Sequence, residues 1–280
     1  MKAYDLGFGE SADALLVHPD RDAGIDLPDA RVAGWCGGRA PGIGPAAWPR
    51  GPVTGLPMTH VITLELPPEY RRKGQDLVAV SFFQADDHVA EEVPGVADLL
   101  AGSPLTPEQA TDPFLASVAS AHQAGHPRQR DLEDLIGGAH ALIWLTEAEF
   151  RAPRTEPPAD VRLAKDAEPY RFGRNAWDHS APEMTVWTGE RVNDPNTGVA
   201  PSEDDDAYVD VWLSEDPTLR EFRDAVHLRS HLGGTIAPCQ GIPDGLTPYV
   251  LELEDEVGGA NFGGGNAQID LESDVFDWAQ

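Results

Sequence analysis

The chain has 280 residues, and 48 acidic against 20 basic residues give it a formal net charge of −28. So large a negative charge repels nucleic acid and anionic membranes, whereas it speeds encounter with a basic protein. Two cysteines are too few for a disulfide scaffold or a cysteine-rich zinc site. No stretch approaches the roughly 20 apolar residues that cross a bilayer, and the N-terminal segment lacks the apolar run of a signal peptide. We therefore expect a cytoplasmic protein without a cofactor.

Two explanations of this acidity remain open. Arginine supplies nearly all of the positive charge, and a GC-rich genome or adaptation to salt produces such a bias without any basic partner. The densest acidic run, residues 203–206, follows prolines and asparagines and is typical of a polar loop.

The first predicted β unit covers residues 30–90. Residues 30–55 are dense in glycine and proline, which indicates turns with specific backbone angles. Residues 58–66 alternate between apolar and polar side chains, as a half-buried strand does, and residues 77–83 are apolar throughout, as in a buried strand. The turn-like sequence Arg71-Arg72-Lys73-Gly74 predicts that the two strands form an antiparallel pair.

A helical and irregular insertion is predicted for residues 91–210. A helix is expected after Thr106, and another over residues 131–136, where Gly137-Gly138 would end it. Residues 141–145 are apolar throughout and indicate a buried strand.

The second predicted β unit covers residues 211–280. Its helix begins at Ser214, whose hydroxyl can cap it, has Pro217 in its first turn and ends at Gly233. The glycine-rich turn over residues 258–266 indicates a hairpin. Further strands are predicted over residues 184–188, 208–213, 249–254 and 267–271.

A sequence pattern occurs once in each β unit. Gly37-Gly38, Gly55-Leu56 and a strand follow one another in the first unit, and Gly233-Gly234, Gly245-Leu246 and a strand do so in the second. A fixed order with variable spacing is typical of a duplicated supersecondary unit whose loops have drifted. We therefore predict a strand-rich α+β fold, one domain over residues 1–280, with an internal duplication.

Further motifs accompany the repeat. They are Trp48-Pro49, Leu56-Pro57-Met58-Thr59 and Ser81-Phe82-Phe83 in the first half, and His231-Leu232-Gly233-Gly234, Pro238-Cys239-Gln240 and Phe262-Gly263-Gly264-Gly265 in the second. With the repeat, they make both ends of the chain resemble the YwqG-like family of bacterial proteins. The resemblance implies an α+β fold with an internal duplication, no established enzymatic activity and a role as an immunity protein. Thr63, Glu252 and Gly264 depart from the polar residues expected at those positions.

Histidine pairs are the arrangement that suggests a metal centre. His227 and His231, and likewise His122 and His126, are four residues apart, which on a helix places two imidazoles on one face as zinc requires. Neither pair has an evident third ligand or the glutamate of a zincin motif. Structural histidines are therefore favoured, and a metal-dependent hydrolase is kept as an alternative.

A mixed basic and aromatic segment lies at residues 171–179. Such a pattern is found on RNA-binding surfaces. The net charge of the chain argues against nucleic acid, so packing or salt bridges are the favoured interpretation.

The favoured function is noncatalytic binding of a basic protein, most concretely a toxin that the chain would occlude. Tryptophans can anchor a partner and acidic residues can contact its basic side chains. The residues predicted to contact the partner are Trp35, Trp48, Glu252, Glu254, Asp255 and Glu256. Tryptophans in loops rich in glycine and proline are also commonly structural. The other alternative is a small-ligand or peptide-binding module with its site between the two β units.

Overall fold

The computed structural model describes residues 1–159, 175–177 and 180–280, and within these ranges the chain is a strand-rich α+β protein. The strands are β1 (Ala3–Phe8), β2 (Leu16–His18), β3 (Arg21–Gly24), β4 (Arg31–Cys36), β5 (Ala40–Pro41), β6 (Thr59–Glu65), β7 (Leu77–Ala85), β8 (Gln129–Glu133), β9 (Ala139–Thr146), β10 (Arg154–Thr155), β11 (Met184–Arg191), β12 (His231–Leu232), β13 (Val250–Glu254), β14 (Asn266–Asp270) and β15 (Phe276–Ala279). The α-helices are α1 (Val96–Leu100), α2 (Pro113–Ala124), α3 (Glu147–Phe150) and α4 (Pro217–Val226). No helix in these ranges combines the length and the apolar character that crossing a membrane requires.

The internal packing of the chain defines two units. The first comprises Met1–Trp35, Leu66–Gln75 and Met184–Gln280, and the second comprises Cys36–Glu65 and Asp76–Glu183. The segment 91–210, predicted as a helical and irregular insertion, supplies strands β8–β11 as well as helices α1–α3.

The first unit is built on an antiparallel sheet with the strand order β15-β14-β13-β12-β1-β11-β4. The predicted hairpin is confirmed, because β13 and β14 pair with each other on either side of the glycine turn. Asp255 holds this turn by accepting the N–H groups of Phe262 and Gly264. Every residue of β13 and β14 is buried, so the polar side chains of these strands lie inside the unit.

The second unit has a sheet with the strand order β6-β7-β9-β8. β7 has a neighbour on each side and all nine of its residues are buried, as its apolar sequence predicts. The predicted antiparallel pairing of β6 with β7 is confirmed. Helices α1 and α2 contribute to an apolar cluster that consists of Leu56, Val96, Leu99, Phe114, Leu115 and Val118.

The helix predicted over residues 214–233 is wrong at both ends. α4 begins after Asp216, which caps its N-terminus, and ends at Val226. His227 leaves the helical path with a ψ of 134° and Leu228 adopts a positive φ of 61°. The chain then pairs as strand β12 with β1 and β13. Gly233 therefore turns the chain after a strand rather than after a helix.

Two other predicted elements are also wrong. Residues 131–136 form the end of β8 and a turn, because β8 pairs in register with β9 and Asp134 accepts two N–H groups of the turn. Residues 208–213 do not form a strand, because Asp210 accepts two backbone N–H groups of this segment. In both places a local aspartate turn replaces the regular structure that periodicity predicts.

Candidate functional site

A row of polar side chains crosses one face of the first unit's sheet. Its members, called the polar row, are Gln268 (β14), Glu252 (β13), His231 (β12), Asp5 (β1) and Arg191 (β11). Cross-strand pairing places the first four opposite one another. Asp5 faces Gly189, and Arg191 is two residues further along the same face of β11. None of the five is more than 5% exposed, so their polar atoms have to find partners within the protein.

Glu252 ties the loop after β12 to the sheet. Its two carboxylate oxygens accept the Ala237 N–H, at 3.1 and 2.9 Å, and Oε2 also accepts the Gln268 side-chain amide at 2.9 Å. Asn266 donates its amide to the Ala237 carbonyl at 2.7 Å. Burial raises the pKa of Glu252 to about 8, although the hydrogen bonds from Gln268 and Ala237 act in the opposite direction. The Glu252 carboxyl group is therefore mostly protonated at neutral pH.

His231 is a neutral imidazole within the polar row. Its Nδ1 donates to the Arg229 carbonyl at 3.0 Å and lies 3.6 Å from Oε1 of Glu252. Burial, with the charge of Arg191 as the next cause, lowers the pKa of His231 to about 3. Because burial disfavours the charged form of both groups, Glu252 and His231 are a neutral pair rather than an ion pair.

The positive charge of Arg191 lies beside two buried carboxylates, those of Asp5 and Asp194. Its Nε donates to Asp5 at 2.5 Å, and its Nη1 donates to the Thr235 carbonyl at 3.1 Å and lies 3.5 Å from Asp194. Burial alone would raise the pKa of Asp5, but the charges of Arg191 and Arg229 outweigh it and lower that pKa. Asp194 accepts both the N–H and the hydroxyl of Thr235, each at 2.9 Å. This ion network therefore fixes the beginning of the same loop.

The loop held by the polar row forms part of an open recess with a volume of about 480 Å³. This acidic recess is lined by Ser202, Glu203, Tyr208, Asp210, Trp212, Leu213, Ile236, Pro238, Gln240 and Ile242. The Ile236 N–H donates to the Tyr208 hydroxyl at 3.0 Å, and the Ile236 carbonyl accepts the Trp212 indole N–H at 2.9 Å. The aromatic wall is thus attached through backbone hydrogen bonds to the loop that the polar row positions.

Negative charge and exposed apolar surface coincide at the acidic recess. Glu203 and Asp210 belong to its lining, and none of the described residues that line it is basic. Three further aspartates, residues 204–206, are exposed directly after Glu203 in the chain. Leu213 is 83% exposed although it is a large apolar side chain. The recess therefore suits a group that combines a positive charge with apolar surface.

The second unit has a recess of its own, with a volume of about 420 Å³, whose lining includes Trp48, Arg50 and His140. The Trp48 indole donates to the Met58 carbonyl at 2.9 Å, and the Arg50 guanidinium donates to the Gly55 carbonyl at 2.8 Å. Burial lowers the pKa of His140 to about 4, so this imidazole is neutral. These polar groups are engaged within the unit, where they hold the turns around the recess.

Most residues predicted to contact a partner are interior residues. Trp35, Trp48, Glu252 and Glu254 are at most 5% exposed, so a partner at the surface does not reach these side chains. Asp255 is half-buried and bonds to the glycine turn through both carboxylate oxygens. Glu256 is exposed, so among the six it is the side chain open to a partner.

The residues of the acidic recess were not predicted as a site. The sequence signal was present, because Tyr208 and Trp212 follow directly after the densest acidic run, residues 203–206. The contribution of the loop at Ile236 and Pro238 had no such signal, since it comes from more than 20 residues further along the chain.

The histidine pairs do not form a metal centre in the structure. His227 is exposed at the end of α4, and His231 is buried in β12, so the two do not share a helical face. His126 lies beyond the end of α2 and contacts Glu149 at 3.3 Å. Within the described ranges, no group of three or more His, Cys, Asp or Glu side chains is arranged to hold a metal ion.

The basic and aromatic segment at 171–179 lies outside the described residues, apart from residues 175–177.

Comparison of the chain with models of protein families, with curated proteins and with solved structures yields no match. The resemblance to the YwqG-like family stays a prediction from sequence motifs.

Proposed function

We propose that the protein is a noncatalytic cytoplasmic binding protein that takes a basic segment of a partner protein into the acidic recess. The observation that carries this proposal is the combination of Tyr208, Trp212 and the exposed Leu213 with the carboxylates of Glu203 and Asp210 in one open recess. An aromatic and apolar wall supplies short-range affinity, and acidic groups at the rim select a cationic partner.

The charge of the whole chain supports the same partner chemistry. A net charge of −28 attracts a basic protein over distances of about a Debye length, near 8 Å at physiological salt, and raises its association rate. The final affinity then depends on the few side chains that are desolvated at the recess.

The partner that we favour is a basic bacterial toxin, which the protein would occlude as an immunity protein. This part of the proposal is supported by the resemblance to the YwqG-like family. Coexpression with a secreted toxin encoded by a neighbouring gene tests it. We expect a stable complex and protection of the cell, and the absence of both would overturn the immunity role.

We also infer that the two β units predicted from the sequence, residues 30–90 and 211–280, arose by duplication. The glycines of the repeat all adopt positive φ angles, between 61° and 83°, in both copies. These glycines are Gly37, Gly38 and Gly55 in the first copy and Gly233, Gly234 and Gly245 in the second. The first glycine of each pair also donates its N–H to a strand carbonyl, at 2.9 Å from Gly37 to Val61 and at 2.7 Å from Gly233 to Val250. The two copies share this backbone geometry although their loops differ in length, which supports a common origin of the two β units.

Binding at the acidic recess can be tested with a fluorescent peptide built from Arg-Leu-Gly repeats. The double variant Glu203→Gln/Asp210→Asn removes two charges but keeps the side-chain oxygens that accept backbone N–H groups. We expect this variant to bind the peptide about tenfold more weakly, which corresponds to about 1.4 kcal/mol. Binding by the native chain should also weaken steeply as salt is raised to about 0.5 M.

The matched control is Glu92→Gln/Glu108→Gln, which removes two charges from exposed side chains of the second unit. The control should bind as the native chain does. Equal weakening of both double variants would show that only the total charge matters, and it would contradict a site at the recess. Absence of any peptide binding by the native chain would refute the proposal outright.

A further inference from the structure

The acidic recess holds its two lining carboxylates in fixed positions. Oε1 of Glu203 accepts the Ile242 N–H at 2.9 Å, so this side chain is attached to the backbone of another lining residue. Oδ1 of Asp210 accepts the N–H groups of Trp212 and Leu213 at 2.8 and 3.0 Å. In the described part of the chain, no hydrogen bond engages the second oxygen of either carboxylate. Each group therefore presents one oxygen to a ligand without first having to lose side-chain freedom.

The aromatic wall next to these carboxylates is equally fixed. The Trp212 indole is half-buried, donates to the Ile236 carbonyl and packs edge-on against the His227 ring at 5.9 Å between ring centroids. Tyr208 is only 8% exposed and is bonded through its hydroxyl to the Ile236 N–H. The recess thus combines planar aromatic surface with two preoriented carboxylate oxygens.

Arginine and lysine differ in how they use such a surface. A guanidinium group is planar, stacks on aromatic rings, is weakly hydrated and donates several N–H groups in a fixed fork. A lysine ammonium is a compact, strongly hydrated charge, and it forms fewer hydrogen bonds of fixed direction. Fixed carboxylate oxygens beside an aromatic wall therefore favour a guanidinium group.

We propose that the acidic recess selects an arginine side chain of the partner over a lysine, with the guanidinium group against Trp212 and hydrogen-bonded to Glu203 and Asp210. This inference rests on the proposed binding function and specifies its ligand. The exposed Leu213 beside the recess would then cover the apolar part of the arginine side chain and of its neighbours in the partner.

The test compares two fluorescent peptides of equal length and charge, one with Arg-Leu-Gly repeats and one with Lys-Leu-Gly repeats. For the native full-length chain, we expect the Kd of the arginine peptide to be about tenfold lower, as one favourable guanidinium-aromatic contact would provide. The preference should persist at higher salt, where both Kd values rise together, because stacking is screened less than charge attraction.

Two variants of Trp212 separate stacking from general packing. Trp212→Phe keeps an aromatic face and should retain most of the preference, whereas Trp212→Leu should bring the two Kd values to within about twofold. Circular dichroism checks that both variants are folded. If Trp212→Leu does not fold, Glu203→Gln/Asp210→Asn replaces it, and this double variant should also reduce the preference.

The outcomes distinguish the two proposals. Equal Kd values for both peptides on the native chain, or a lower Kd for the lysine peptide, would overturn arginine selection and leave the binding function standing. A preference that is unchanged in Trp212→Leu would also overturn it. Failure of the native chain to bind either peptide would refute the binding function itself.

Discussion

Glu252→Gln removes the titration of a buried carboxyl group while keeping its shape. With its oxygen at the position of Oε2, the substituted side-chain amide would still accept the Ala237 N–H and the Gln268 amide, which also donates to Asn266. The folded-state pKa of Glu252 is raised to about 8 from 4.5 by burial. The stability contributed by this group is therefore fully present below about pH 4.5 and is lost as the pH rises towards 8. The glutamine variant does not carry this pH-dependent loss.

The size of the effect follows from the pKa difference. In the unfolded chain, pH 7 lies roughly 2.5 units above the pKa of 4.5 of Glu252. Each of these units stabilises the unfolded state by about 1.4 kcal/mol relative to the folded state, in which the group stays mostly protonated. The native chain should therefore lose about 3 kcal/mol of its free energy of unfolding between pH 4.5 and pH 7 through Glu252. Other groups titrate equally in both proteins, so the difference between variant and native chain isolates this loss.

Urea unfolding followed by tryptophan fluorescence at several pH values measures this difference. The free energy of unfolding of Glu252→Gln, relative to the native chain, should rise by about 3 kcal/mol between pH 4.5 and pH 7. The control is Glu221→Gln on the exposed face of α4, which should show no such pH dependence. A relative stability of Glu252→Gln that is constant across this pH range would refute the argument that burial controls this group.

Two further predictions concern other contacts of the first unit. A Cβ atom at Gly233, where φ is 61°, would collide with the Tyr70 hydroxyl oxygen, so Gly233→Ala should lower the free energy of unfolding by at least about 2 kcal/mol. The control Gly44→Ala has open space around its Cβ and should change the free energy of unfolding little. Equal effects of the two substitutions would contradict the steric argument. Arg191→Met should cost about 3–5 kcal/mol, because it leaves the buried carboxylate of Asp194 without its cation and Asp5 with Arg229 alone. Denaturation that shows no loss would contradict the ion network, and pairing the substitution with Asp5→Asn should recover part of the loss.

Strands were more predictable than helices in this chain. The apolar pattern of residues 77–83 and 141–145 marks strands β7 and β9, because both strands are buried there on both faces, so apolar side chains occupy successive positions. The helix predicted to Gly233 stops at Val226 instead, since pairing of His231–Leu232 with two neighbouring strands overrides local helix propensity.

The candidate site was less accessible to prediction from sequence. The acids 252–256 and the tryptophans Trp35 and Trp48 attract notice as chemical types, but Glu252, Trp35 and Trp48 are buried. Sequence shows the polarity of a side chain and not whether the sheet places it inside or outside. The part that Tyr208 and Trp212 play in the recess depends on their hydrogen bonds with Ile236, which no local sequence pattern shows.

The sequence by itself determined the acidic character, the strand-rich class and the hairpin around the glycine turn, because charge, apolar periodicity and turn chemistry act over a few residues. Only the tertiary structure decided the polar row and the acidic recess. Both depend on cross-strand register and on a loop that meets a distant segment, and register between strands far apart in the chain is set by the packing of the whole sheet.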